Sequence, residues 1–64
     1  MRVHIDNRLC SILEEGNYAT LAYPKGLGLT VGKVINFNGR DWSVLKIGPS
    51  DVLKTIMLAK LELV

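Results

Sequence analysis

The stretch that most limits what this chain can fold into is residues 31–47, VGKVINFNGRDWSVLKI. Asn38-Gly39 lies between two runs rich in β-branched and aromatic residues. Val31, Val34, Ile35 and Phe37 precede it, and Trp42, Val44 and Ile47 follow. A two-residue hairpin loop of type I′ needs positive φ at both central positions, which Asn tolerates and Gly adopts without steric cost. The pattern predicts a β-hairpin. The loop also sets a register, with Phe37 opposite Arg40, Ile35 opposite Trp42, Lys33 opposite Val44 and Val31 opposite Lys46. Side chains alternate along a strand, so these residues share one side. That side holds Ile35, Phe37, Trp42 and Val44, fringed by Lys33, Arg40 and Lys46. Val34, Asn36, Asp41, Ser43, Leu45 and Ile47 take the other.

The remaining segments are read around this hairpin. Residues 2–5 alternate polar and apolar, which predicts a short strand. Residues 6–16 read as a short helix, N-capped by Asp6 or Asn7 and stopped by Gly16-Asn17. Leu9, Ile12 and Leu13 then form a stripe at i, i+3 and i+4. Glu14 and Glu15 lie at the wrong end of such a helix for its dipole. The competing reading is a hairpin that pairs residues 9–13 with 18–23 across Glu14-Glu15-Gly16-Asn17. YATLAY, residues 18–23, reads as a strand ended by Pro24. In the loop that follows, Leu27 and Leu29 either cover one end of a barrel or insert into a partner. Gly48-Pro49-Ser50-Asp51 is a turn signal. Residues 55–63 read as a strand covered on both sides at its centre. It must therefore pair within the sheet or across a subunit interface. The expected fold is mainly β with one short helix, a single domain over residues 1–64 forming a small antiparallel sheet or barrel.

Size and composition narrow the function. A chain of 64 residues buries only about 60% of its unfolded surface as a monomer. A single Cys excludes an internal disulfide, and one Cys with one His cannot supply the ligands of a closed zinc site. Oligomerisation is the remaining common remedy, so a homo-oligomer is expected. The net charge of +2 is interspersed and demands neither nucleic acid nor a membrane surface. No apolar run approaches the roughly 18 residues of a membrane span. The first residues lack a signal-peptide core, and a free thiol suits a reducing, cytoplasmic setting.

Catalytic patterns fail on inspection. GLGLTVGK ends like a phosphate-binding loop, but Leu27 stands where the first glycine belongs and Val34 where Ser or Thr belongs. Cys10 or Ser11 could be paired with His4, yet nothing places an acid behind that histidine. Glu14-Glu15 are adjacent and diverge on a helix. No enzyme activity, cofactor or metal is expected, and His4 is read as an exposed strand residue. Trp42 and Phe37 with Lys33, Arg40 and Lys46 remain as a candidate face for single-stranded nucleic acid, which stacks on exposed aromatics within a basic groove. Their alternative role is as the core of a very small domain, with the long basic chains lying over its rim.

The segment VGKVINFNGRDWSVLKI resembles the central hairpin of small SH3-like β-barrels. In these a Val-Gly entry leads a strand, a tight turn follows, and a Trp-x-Val strand returns. The resemblance covers about a quarter of the chain. It implies about five strands, binding through loops and one open face, and no intrinsic chemistry. A compact chain of this kind would suit a bacterial, phage or plasmid accessory protein that acts by binding a target. The expectation is thus a non-enzymatic protein-binding or assembly module that partners itself and another protein, with no membrane partner. A nucleic-acid-binding barrel is the alternative. The candidate binding residues are Trp42, Phe37, Lys33, Arg40, Lys46, Leu27 and Leu29.

Overall fold

The computed structural model describes residues 1–49 and 55–64. Among the described residues six strands form one antiparallel sheet: β1 (Arg2–Ile5), β2 (Arg8–Glu15), β3 (Tyr18–Pro24), β4 (Val34–Phe37), β5 (Arg40–Pro49) and β6 (Ile56–Leu63). Their spatial order is β1-β2-β3-β6-β5-β4. The sheet curls until β1 and β4 lie against each other, nearly closing a barrel. Asn38 at the end of β4 donates to the Met1 sulfur at 3.6 Å across that seam.

Three hairpins close through two-residue loops. Asp6 and Asn7, at φ 50° and 65°, join Ile5 to its partner Arg8. Asn38 and Gly39, at φ 53° and 74°, join Phe37 to Arg40. Between Glu15 and Tyr18, Gly16 takes φ 63° in the first loop position, where a type II′ turn favours glycine. Each turn carries the local right-handed twist that lets so short a sheet roll up.

The expected helix over residues 6–16 is a strand. Asp6 and Asn7 form a turn instead of a cap, and β2 alternates across the barrel wall, with Cys10 and Ile12 buried and Leu9 and Leu13 exposed. An isolated helix of that length is marginal in water. The ladder with β1 and β3 satisfies the same backbone and buries two apolar side chains. The competing hairpin is the one realised, but its loop is Gly16-Asn17 and not the four residues Glu14–Asn17 of that reading. Glu14 and Glu15 pair within β2, with Ser11 opposite Ala22 and Leu13 opposite Thr20.

The terminal strand is correctly placed. β6 lies between β3 and β5, paired on both edges within one chain, but it is not covered on both faces as expected: Ala59 and Leu61 are buried, whereas Leu58 is exposed on the outer wall. The expected turn over Gly48-Pro49-Ser50-Asp51 does not begin at Gly48: Gly48 and Pro49 continue β5, paired with Leu58 and Met57, and Ser50 and Asp51 lie outside the described residues. The hairpin around Asn38-Gly39 has the expected register for Ile35–Trp42 and Phe37–Arg40. Val31 and Lys33 precede β4 and are not part of it. A bulge between Val44 and Lys46 breaks strict alternation in β5, and Lys46 pairs with Lys60.

The core collects the inward residues of every strand. Val3, Ile5, Cys10, Ile12, Ala19, Leu21, Tyr23, Ile35, Phe37, Trp42, Val44, Ala59 and Leu61 are buried, joined by Leu29 from the loop. Trp42, Leu21 and Leu61 have no solvent exposure. Among the described residues no polar or charged side chain is buried with them, and no helix is long and apolar enough to cross a membrane.

Candidate binding face

The aromatic pair faces inward. Phe37 and Trp42 are diagonal neighbours on the β4–β5 hairpin, and their rings stack with centroids 5.4 Å apart and planes 3° from parallel. Such a stack adds about 0.5–1.5 kcal/mol beyond the area it buries. Trp42 is fully enclosed, and its indole Nε1–H has no hydrogen-bond partner among the described residues. Base stacking needs an open ring face, and neither ring offers one.

The other candidate residues are dispersed. Leu29 is buried, and Leu27, in the 3-10 turn Lys25–Leu27, is half-buried against the core. Both cover the barrel interior. Lys33 and Arg40 are exposed at opposite ends of β4, Lys33 just before it and Arg40 past the turn, opposite Phe37. Lys46 lies on the outer wall instead of beside Trp42, because the bulge shifts it by one position relative to Val44.

The chemistry considered for Cys10 and His4 is separated by the barrel wall. Cys10 points inward, with its thiol 3.6 Å from the Arg8 carbonyl oxygen, to which it donates. Burial pushes its pKa up, partly offset by a backbone hydrogen bond from Ile5. Buried thiols of this kind are inert nucleophiles. His4 is exposed on the outer face of β1. The phenol of Tyr23 is likewise pushed up by burial. Among the described residues no three His, Cys, Asp or Glu side chains are grouped as metal ligands would be.

What the barrel does present is its outer wall. Along β2, Leu9 is 52% and Leu13 61% exposed, with Ser11 between them. The register sets this column beside Ala22 and Thr20 of β3. On the far side of β3, Leu58 and Lys60 of β6 face Gly48 and Lys46 of β5. The small side chains of Ala22 and Thr20 thus lie lower than the leucines flanking them. Two shallow depressions result. Arg2, Leu9, Ser11, Ala22, Pro24 and Ile56 border one, and Thr20, Lys46, Gly48, Pro49, Leu58 and Lys60 border the other.

Sequence reasoning missed Leu9, Leu13, Thr20, Leu58 and Lys60 as members of a site. The outward side of YATLAY and the lysine side of β6 were each legible. Their juxtaposition depends on pairing residues more than thirty positions apart, for which the sequence carries no local signal.

The fold and wall together define the chain as a small, nearly closed, six-stranded antiparallel β-barrel. No family model, curated protein or solved structure matches it.

Proposed function

We propose that the chain is a non-enzymatic protein-binding module of the SH3-like barrel type, which self-associates through the outer face of β2. The observation that carries this reading is the exposed leucine column. Leu9 and Leu13 project from a well-paired strand into solvent instead of packing in their own core. Exposed apolar groups grouped on one face mark interaction surfaces. Burying this column against a second copy also offsets the marginal stability of so short a chain.

The six strands exceed the five that the SH3-like resemblance implies, the additional one being the β2 segment first read as helical. Interaction through an open wall is retained. Stacking of nucleic acid on Trp42 and Phe37 has no place in this reading, because both rings belong to the core.

Sedimentation equilibrium tests it. The wild-type protein should associate at micromolar concentration, and the Leu9→Gln/Leu13→Gln variant should be a folded monomer. A wild-type monomer throughout that range would sink the self-association.

A further inference from the structure

The outer wall contains an electrostatic arrangement that the fold itself does not need. Lys46 and Lys60 are direct cross-strand partners between β5 and β6, and both are exposed. Like charges directly opposite each other on a sheet are destabilising. Among the described residues, the side-chain hydrogen bonds involve neither ammonium group. Lys60 instead extends over the ring of Tyr18, with Nζ 5.4 Å from its centroid. Glu62, the next outward residue of β6, is set between Tyr18 and Ser43 in the following row.

The two lysines border an apolar hollow. Its floor and walls come from Thr20, Gly48, Pro49 and Leu58, and its volume is about 220 Å³. Small-molecule sites span about 300–1,000 Å³, so this hollow suits a single side chain better than a whole ligand. Gly48 leaves the floor open, with no atom of the described residues within 4 Å of the position its Cβ would take.

We infer that the Lys46–Lys60 pair and the hollow beside it receive an acidic, apolar segment of a partner protein. An aliphatic side chain seats against Leu58, Gly48 and Pro49, and a neighbouring carboxylate lies over the two ammonium groups. Charge complementarity selects this occupant. A negative group turns the mutual repulsion of the lysines into attraction to a shared partner, and the hollow demands an apolar neighbour to it. A nucleic-acid strand fits less well. The one aromatic ring on this side, Tyr18, is already covered by Lys60, and strands without stacking platforms bind through phosphate charge alone.

The inference rests on the protein-binding reading but not on self-association, since Leu9 and Leu13 lie on the other side of β3. Amide shift mapping of the full chain tests it with a short blocked peptide alternating leucine and glutamate. Comparison ligands are the leucine–glutamine peptide and oligothymidylate. The acidic peptide should move the amides of Lys46, Gly48, Leu58 and Lys60, and added salt should weaken it. Lys46→Ala and Lys60→Ala should each weaken it by up to about fivefold, as expected for exposed ion pairs. Binding should persist in the Leu9→Gln/Leu13→Gln variant even if the wild-type protein proves monomeric. Equal binding of the glutamine peptide would overturn the inference. So would shifts at other residues, or oligothymidylate moving these amides where the peptide does not.

Discussion

The β4–β5 hairpin and the β3–β6 pair are both antiparallel ladders, yet their distinctive side chains point in opposite directions. In the hairpin, Ile35, Phe37, Trp42 and Val44 turn inward and become part of the core. In the central pair, the outward residues Tyr18, Thr20, Leu58 and Lys60 remain accessible. The hairpin has the composition of a binding site, with aromatics fringed by lysine and arginine. Barrel closure removes it from solvent. The central pair looks ordinary in sequence, but its outer side carries the residues of the proposed binding wall. In a domain this small, the largest aromatics are needed to fill the interior, so the proposed recognition uses the aliphatic and charged residues left outside.

That contrast can be broken most forcefully at Trp42. Replacing it with Ala should cost about 3–5 kcal/mol, comparable to the whole stability of a domain this size. Thermal or urea denaturation should find the variant largely unfolded, whereas an exposed platform tryptophan would be removable at little cost. At the turn, Gly39 has φ 74° and nothing within 4 Å of an added Cβ. Gly39→Ala should therefore lose about 1–2 kcal/mol through backbone strain alone, with the sheet register unchanged in amide spectra.

The inward side also carries a pH signature. Burial raises the pKa of both Cys10 and Tyr23, so the folded chain resists ionisations that the unfolded chain undergoes. Stability should be flat with respect to these groups below the unfolded thiol value, about 8.5. It should then fall as pH rises through the higher folded values. Denaturation midpoints measured across the alkaline range should show this decline, and Cys10→Ala should delay its onset. The smallest effect belongs to the outer wall. Lys46→Thr removes a cross-strand repulsion and should stabilise by about 0.2–1 kcal/mol, an increase that salt should diminish in wild-type comparison.

The sequence disclosed elements according to how locally each is determined. Asn38-Gly39 and its β-branched flanks were sufficient for the hairpin and two of its cross-strand pairs. The apolar run of β6 was legible as a strand that must pair within the sheet or across a subunit interface, but not as one with an open outer face. The segment around Leu9, Ile12 and Leu13 was not, because its spacing satisfies a helical stripe while Cys10 and Ile12 equally satisfy alternation. Gly16-Asn17 is itself a hairpin signal, and Asp6-Asn7 adopts the same positive-φ pair as Asn38-Gly39. Reading both as turns rather than helix boundaries would have recovered β2. The bulge at Lys46 has no comparable mark. It moved one candidate residue to the opposite side of the wall, next to Lys60. Which side of the hairpin faced inward was equally hidden, since closure depends on β6 inserting between β3 and β5.

The most direct test of the division between a sealed interior and an interacting wall is a dilution series of amide and indole spectra on the wild-type chain. Concentration-dependent shifts are expected at Leu9, Ser11 and Leu13, while the Trp42 indole N–H and the amides of Ile35 and Phe37 stay fixed. Movement of the Trp42 indole with a silent β2 would contradict it.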